Sequence, residues 1–439
     1  MIIVCMIATV IISCITFLGI TLSILFFPHI KIKSIKLDTY WMIALLGAIV
    51  LVATTLCPIK EIKDSWTSNT AVNPLKILVL FFSMTILSVY LDELGLFKFL
   101  AAFAVNKAKG HQYVLFFVLY FLVSVLTIFT SNDIVILTFT PFICFFCKHA
   151  KINPLPYLIA EFAAANTWSM MFIIGNPTNI YLATSAGITF IDYLKVMLLP
   201  TIAAGLVELL IIYLLFFRKL REPLNNDEVI TVHIDSKVDL IIGSLHLLVC
   251  LIFLIISPYL HIEMWLISAI CALSLLVFSL ILRLIRRKEW NYLGDSFKRL
   301  PYQLIPFVLS MSIIVITINY QGIASKIGDF LNNGNLIINY GASSYLFSNL
   351  INNIPMSILF SNIPTALTNG EYMQAIYSSI VGSNIGAFLT PIGALAGIMF
   401  SNLLNKYEVK FSFLDFIKYG SIISIPVLVT TLLTLGIII

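Results

Sequence analysis

Long apolar stretches alternate with short polar loops along the chain, from Met1 to Ile439. Because a bilayer core takes roughly 20 helical residues to cross, such stretches are long enough to span a membrane. The alternation typical of barrel strands is missing, and lipid-facing backbone must satisfy its own hydrogen bonds, so helices are predicted. Full crossings are predicted near residues 2–27, 39–57, 75–95, 156–187, 192–217, 238–257, 263–283, 303–320, 372–403 and 412–439.

Two further apolar stretches, residues 112–150 and 336–368, are each interrupted by a polar cluster. The clusters are Thr130-Ser131-Asn132-Asp133 and Asn352-Asn353-Ile354-Pro355. Each half is expected to be short for a crossing, so a re-entrant helical hairpin with a buried polar tip is predicted for both stretches. Two full helices joined by a tight turn remain the alternative.

Composition agrees with a membrane protein, since 60% of the residues are hydrophobic and 11% are charged. Soluble domains carry about a quarter charged residues. A soluble enzyme, a disordered chain and a nucleic-acid binder are therefore excluded. The seven cysteines suggest neither a disulfide framework nor a metal site, and no catalytic constellation or phosphate-binding GxxxxGK[ST] motif occurs.

The distribution of basic residues orients the predicted helices. With both hairpins re-entrant, 21 of the 26 Lys and Arg fall in loops on one side, which the positive-inside rule makes cytoplasmic. The opposite side keeps Lys60, Lys63, Lys76, Lys195 and Lys326. We therefore predict a multi-pass protein of the inner or plasma membrane with both termini extracytoplasmic. Because the first stretch lacks a basic start and a cleavage site, it is interpreted as a span.

The chain repeats itself internally. Residues 74–95 (PLKILVLFFSMTILSVYLDELG) align without a gap with residues 301–322 (PYQLIPFVLSMSIIVITINYQG). Asn132 matches Asn353 at the hairpin tips, and Asn166 matches Asn384 further on. Chance similarity between Leu- and Ile-rich segments is the alternative, but hydrophobic bias alone does not produce matched Pro, Gly and Asn.

The predicted fold is an all-α polytopic membrane protein with inverted-topology repeats, because the matched segments 75–95 and 303–320 run in opposite directions through the bilayer. Residues 1–221 form the first repeat, 222–237 a cytoplasmic linker and 238–439 the second repeat. Such repeats are typical of secondary transporters, whose substrate and ion sites lie near the midplane where the repeats meet.

Two crossings contain helix-breaking blocks. Gly175-Asn176-Pro177-Thr178-Asn179 interrupts residues 156–187, and Thr390-Pro391-Ile392-Gly393 interrupts residues 372–403. Proline removes an amide donor and glycine permits unusual backbone angles, so each block is expected to break its helix and free backbone groups for ligands. A proline kink used for packing is the alternative.

The hairpin tips are expected to meet these breaks. Asp133 is the one acidic residue at either tip, which makes it a candidate proton carrier, although a role as helix cap would also explain it. Glu161 is expected near the solvated inner end of its span, and Glu208 is a mid-span acid. Asp92 and Glu93 are expected at the membrane interface.

Several of these motifs together resemble the arsenite-efflux permeases of the ArsB type. They are residues 156–183 (PYLIAEFAAANTWSMMFIIGNPTNIYLA), 131–141 (SNDIVILTFTP), 73–95, 352–355 (NNIP) and 383–396 (SNIGAFLTPIGALA). These permeases belong to an ion transporter superfamily that also contains sodium/proton antiporters of the NhaD type, citrate–metal permeases and sodium/dicarboxylate symporters.

The resemblance implies a proton-coupled secondary transporter for arsenite or antimonite that moves by alternating access and needs no cofactor beyond a proton or sodium gradient. It is compatible with a homodimer and with an accessory ATPase subunit as partners. The substrate- and ion-binding residues it implies are Ser131, Asn132, Asp133, Asn166, Thr167, Gly175, Asn176, Pro177, Thr178, Asn179, Asn352, Asn353, Asn384, Thr390, Pro391 and Gly393. Asp133 is the implied proton-coupling residue.

The sequence departs from the family pattern at Trp168, where a small residue usually follows Asn-Thr. This bulk could narrow the site or point to lipid. An acid at the first tip disfavours a dianionic substrate, which tilts the choice toward a neutral hydroxide such as As(OH)₃ or toward a cation. A sodium/proton antiporter and a sodium-coupled anion or dicarboxylate symporter are the alternatives.

Overall fold

The computed structural model describes residues 2–27, 29–32, 35–69, 73–108, 110–224, 234, 236–286, 291–364 and 367–439. In the first half of the chain the helices are α1 (Ile2–Phe26), α2 (Tyr40–Ala53), α3 (Ile59–Thr67), α4 (Pro74–Glu93), α5 (Leu96–Lys107), α6 (Gln112–Phe129), α7 (Asn132–His149), α8 (Leu155–Trp168), α9 (Pro177–Ser185) and α10 (Phe190–Leu220). A short antiparallel pair, β1 (His29–Ile32) and β2 (Ile35–Asp38), places His29 opposite Asp38.

The second half contains a matching series. Its helices are α11 (Lys237–Leu260), α12 (Met264–Arg286), α13 (Asn291–Lys298), α14 (Leu304–Tyr320), α15 (Ile323–Leu331), α16 (Leu336–Ile351), α17 (Asn353–Phe360), α18 (Asn369–Gly386), α19 (Leu395–Lys406) and α20 (Phe413–Ile438). Most of the predicted linker, residues 225–233 and 235, lies outside the described residues.

Seven helices in the described part of the chain are long and apolar enough to cross a membrane: α1, α4, α6, α10, α11, α12 and α20. The chain is therefore a multi-pass helical membrane protein, as predicted. The crossing predicted at residues 39–57 is shorter than expected, because α2 has 14 residues and ends before Thr54. The pair α14 and α15 bends by 78° at its break.

The first hairpin is longer than its sequence suggested. Its arms α6 and α7 have 18 residues each, so each reaches about 27 Å, and α6 alone qualifies as a candidate span. The expectation that both arms would be short was wrong here, because the backbone leaves the helix only at Thr130 and Ser131. The second hairpin has arms of 16 and 8 residues.

Helix ends are set by the same local chemistry in both halves. Gly95 and Gly322 adopt positive φ values of 85° and 71° and separate α4 from α5 and α14 from α15. A left-handed residue is what a helix needs to end sharply, and glycine adopts it without a steric penalty. Likewise, Thr189 and Ser412 precede α10 and α20, each paired with an aspartate three residues later.

Helix packing links the two halves through corresponding elements. Helix α4 of the first half packs against α12 of the second half, and α14 of the second half packs against α2 of the first. The second arm of each hairpin packs against a helix of the other half, α7 against α19 and α17 against α9. Helix α10 packs along α20. The hairpins and interrupted helices consequently form the centre of the molecule, and α1, α11 and α12 lie outside them.

Candidate functional site

The first hairpin tip contacts the end of α8. Asn132 begins α7, and its amide nitrogen donates to Asn166 Oδ1 at 3.2 Å, while its side-chain oxygen accepts from the Asp133 backbone N–H. The Thr130 hydroxyl donates a hydrogen bond to the Leu126 carbonyl of α6. These bonds satisfy the backbone at the turn, which allows it to lie inside the protein.

The first interrupted helix breaks where its sequence predicts. After Trp168 the chain makes two short 3₁₀ turns, Ser169–Met171 and Ile173–Gly175, and α9 begins at Pro177. Asn176 caps α9 by accepting from the Thr178 N–H at 3.1 Å. A Cβ at Gly175 would overlap the Ser169 carbonyl, so a larger residue would push the two turns apart.

A buried amide cluster joins this break to the second half. Asn384 Oδ1 accepts from Ser169 Oγ and from Asn176 Nδ2, both at 3.1 Å. Its own amide nitrogen donates to Asn179 Oδ1 at 2.6 Å. The Asn179 amide in turn donates to the Ser169 and Phe172 carbonyls. These side chains therefore hold the two interrupted helices together.

The second tip is held by backbone contacts. Asn352 has φ 72° and ψ 153°, a conformation that costs a non-glycine residue about 1–3 kcal/mol. Its amide donates to the Ile392 carbonyl at 3.0 Å, and the Asn353 N–H donates to the Gly393 carbonyl at 3.0 Å. The second tip and the second break thus support each other, and this contact stabilises the strained backbone.

Two residues at these contacts were missed from the sequence. Asn349 of α16 accepts from Thr390 Oγ1 at 2.7 Å and donates to the Gly386 carbonyl at 2.9 Å. An amide inside an apolar hairpin arm is itself a signal, because such groups need partners in a membrane. Ser169 offered no comparable signal, since its position in the matched segment is occupied by Ala387.

A cavity of about 490 Å³ lies beside the first tip. Its walls come from the ends of α1, β2 and α2, from the middle of α4, from α7 and α19, and from the segment that leads into α14. Ser131 and Asp133 are the predicted site residues that line it. Ser131 Oγ has no hydrogen-bond partner among the described residues, and neither a hydrogen bond nor an ion pair to the Asp133 carboxylate is found there.

The other predicted residues lie outside the lining of this cavity. Thr167 donates to Glu208, Thr178 contacts Asn176 Oδ1 at 3.2 Å, and Pro391 lies in the second break. Trp168 turns away from the cavity, because its indole N–H donates to Tyr120 Oη at 3.2 Å. The Trp168 ring is absent from the lining of the cavity, and its N–H is bonded within the protein.

Arg299 lines the cavity and binds two acids. Its guanidinium contacts Asp92 and Glu93 of α4 at 2.6 Å each, and Asp92 also accepts from Thr138 of α7 at 2.6 Å. Asp92 is 3% exposed and therefore lies inside the protein, while its position at the membrane interface stays a prediction. Arg299 lies close enough to neutralise it, which makes its burial tolerable.

The two other acids also lie in the interior. Glu161 is 1% exposed rather than solvated, and it accepts from Thr140 of α7 at 2.9 and 3.1 Å. The expectation failed because α7 covers that face of α8. Glu208 is fully buried between α10, α6 and the end of α8.

The sequence profile of the citrate transporter family (CitMHS) matches residues 38–377, which is most of the chain. The protein belongs to this family. Its members are membrane transporters, so the protein is a transporter rather than an enzyme, as expected.

Curated relatives cover nearly the whole chain. An arsenical pump membrane protein of Escherichia coli K12 is 27% identical over 372 residues, covering 81% of this chain and 85% of its own. A putative arsenical pump membrane protein of Bacillus subtilis is 24% identical, covering 86% and 90%. The resemblance read from the motifs is therefore confirmed.

A solved structure shares the fold. The YdaH transporter of Alcanivorax borkumensis aligns with a TM-score of 0.56 at 14% identity, over 99% of this chain and 98% of its own. The MtrF structure of Neisseria gonorrhoeae aligns with a TM-score of 0.55 at 15% identity, over 99% and 94%.

Proposed function

We propose that this protein is a proton-coupled secondary transporter that exports arsenite, antimonite or a similar small neutral hydroxide. The observation that carries the proposal is the pair Ser131 and Asp133, which line a cavity and whose side-chain polar groups have no hydrogen-bond partner among the described residues. A hydroxyl and a carboxyl group can both hydrogen-bond a trihydroxide, and the carboxyl can also take up and release a proton.

The packing of the two halves supports alternating access through inverted repeats. Corresponding helices make corresponding contacts, and each hairpin's second arm packs against the interrupted helix of the other half. We assign α6–α7 and α16–α17 as the two re-entrant hairpins, entering from opposite sides. The cavity then lies between an outer frame of α1, α2, α4 and α14 and the first hairpin.

Contacts between loops support the proposed orientation with both termini outside. On the outer side Lys76 pairs with Glu263 at 2.7 Å, and Gln374 donates to the carbonyl of Ile439. On the cytoplasmic side Arg299 pairs with Glu93. Because the cavity lining includes the exposed Lys298 and its neighbour Arg299, which the predicted orientation places on the cytoplasmic side, we assign this conformation as open to the cytoplasm, which suits loading for export.

Electrostatics distinguish a neutral solute from citrate. The cationic side chains lining the cavity are Lys298 and Arg299, and both are paired with acids, Lys298 with Asp295 and Arg299 with Asp92 and Glu93. At the tip a carboxyl group faces the cavity instead. A tricarboxylate would meet an acid without a free cation to offset the repulsion.

Everted vesicles from arsenite-sensitive cells test the function directly, since their cytoplasmic face is outside. Vesicles with the protein should accumulate arsenite when a proton gradient is imposed. Asp133→Asn should abolish accumulation, whereas Asp329→Asn, an exposed aspartate on α15, should leave it unchanged. Equal protein levels would be verified by immunoblot.

Other substrates added to the same vesicles give the contrary outcomes. Sodium-driven citrate or dicarboxylate uptake without arsenite transport would favour the symporter, which the family description keeps as the second candidate. Proton movement on addition of sodium alone would favour a sodium/proton antiporter. The homodimer and the accessory ATPase subunit stay predictions.

A further inference from the structure

Glu208 sits in the middle of α10 and is fully buried. Its carboxyl group faces two neighbouring elements. One oxygen lies 3.0 Å from Tyr120 Oη of α6, and the other accepts a hydrogen bond from Thr167 in the last turn of α8. Thr167 follows Asn166, the residue that contacts the first hairpin tip.

The hydrogen bonds around Tyr120 indicate the protonation state of Glu208. Tyr120 Oη accepts from the Trp168 indole N–H at 3.2 Å and lies 2.7 Å from the Gly205 carbonyl. A carbonyl brings no hydrogen, so the single phenolic hydrogen belongs to the shorter contact with Gly205. The contact between Tyr120 and Glu208 then needs its hydrogen from the carboxyl group.

The surroundings offer Glu208 no counter-charge. The ion pairs of the described residues include none to Glu208. Of the helices packed against α10, α6 presents Tyr120, while α8 presents the neutral Thr167 and directs Glu161 toward α7 instead. Among the described residues of α11 and α20, no charged or titratable side chain forms a hydrogen bond or an ion pair with Glu208. An ionised carboxylate without a cation is strongly disfavoured in such a site.

We propose that Glu208 remains protonated through the transport cycle and acts as a positioning residue. Its O–H donates to Tyr120 and its carbonyl oxygen accepts from Thr167, which fixes the last turn of α8 immediately before the first break. The coupling proton then moves through Asp133 and bypasses Glu208. This division of roles rests on the proposed function, whereas the protonation state of Glu208 does not.

Transport variants test the positioning role. Glu208→Gln keeps one donor and one acceptor in place, so arsenite accumulation should stay within about twofold of the wild type, with the same pH profile. Glu208→Ala leaves Tyr120 and Thr167 unpaired and should lower accumulation about tenfold or more at equal protein level. If Glu208→Gln is folded but uncoupled from the proton gradient, Glu208 carries a proton and the proposal is wrong.

Infrared spectra of purified protein test the protonation state without transport. The difference spectrum between the wild type and Glu208→Gln should contain the C=O band of a neutral carboxylic acid at neutral and mildly alkaline pH. The exposed Glu263→Gln variant should lack this difference. A carboxylate band instead would overturn the proposal, even if arsenite proves not to be the substrate.

Discussion

In the second half of the molecule α16 and α18 approach each other over Gly382 and Gly386, whereas the matched positions of α8 in the first half carry Ala164 and Trp168. A Cβ at Gly382 would overlap Ser344 Oγ and the Gly341 carbonyl. Small residues allow helices to pack closely in membranes. The second hairpin is therefore packed tightly against its interrupted helix.

The first hairpin differs in both packing and charge. Trp168 packs over Gly205 of α10, and the acids Asp133, Glu161 and Glu208 all lie in this half. In the second half Ile354 takes the place of Asp133. The second half's contact between its hairpin and its last helix is the neutral pair Tyr345 and Ser424, at 2.6 Å.

This difference teaches that the two halves, whose helices follow the same order, carry different chemical groups. The second unit is a tightly packed support whose polar groups are amides and hydroxyls. The first unit holds the buried acids, and one of them, Asp133, lines the cavity. Proton coupling is accordingly expected in the first half, and the following substitutions should separate the two units.

The largest effect is expected from placing the bulk of the first unit in the second. Gly386→Trp has no room, because even a Cβ would overlap Ser348 Oγ, so the variant should yield no folded protein. Gly370→Trp, at a position with open space, is the matched control. Size-exclusion chromatography in detergent would measure both, and a monodisperse Gly386→Trp would contradict the close packing.

The reverse change removes bulk from the first unit. Trp168→Ala should lower the unfolding free energy by about 2–4 kcal/mol, since a partly buried ring and its hydrogen bond to Tyr120 are lost. Gly205→Ala should destabilise the wild type but not Trp168→Ala, because its Cβ collides with the indole ring. Thermal unfolding of the wild type, the two single variants and the double variant completes a double-mutant cycle. Additive changes in the unfolding free energy would show that Trp168 and residue 205 are not in contact.

Removing one phenolic oxygen from each unit should have unequal effects. Tyr120→Phe leaves the Glu208 hydrogen and the Trp168 N–H without an acceptor, at a cost of about 1–3 kcal/mol. Tyr345→Phe loses one neutral bond to Ser424, at about 0.5–1.5 kcal/mol. Equal shifts in thermal unfolding would show that the hydrogen bonds of Tyr120 stabilise the protein no more than the single bond of Tyr345.

The smallest effect on stability is expected at Ser131. Within the described part of the chain its hydroxyl has no hydrogen-bond partner, so Ser131→Ala should change the unfolding free energy by less than about 0.5 kcal/mol. Because this hydroxyl lines the cavity, the KM for arsenite should nevertheless rise several-fold. Ser378→Ala removes another unpartnered buried hydroxyl, outside the cavity, and should alter neither quantity. Identical KM values in both variants would exclude Ser131 from binding.

Much of this architecture is readable from the sequence. The helix ends at Gly95 and Gly322 and the breaks at Pro177 and Pro391 are local properties, so a linear pattern predicts them. The first hairpin was harder, since the polar run Thr130–Asp133 does not reveal that α7 already starts at Asn132.

Side-chain destinations were decided by tertiary packing. Asn384 was predicted to bind substrate, but its side chain is hydrogen-bonded to residues of the first break. Glu161 was expected to be solvated but is buried. Which face of a helix meets which neighbour depends on segments far apart in the chain. The sequence alone determined the membrane environment and the helix breaks, because each follows from neighbouring residues. Only the folded chain decided that Ser131 and Asp133 face the cavity, because that requires the frame and the hairpin to pack together.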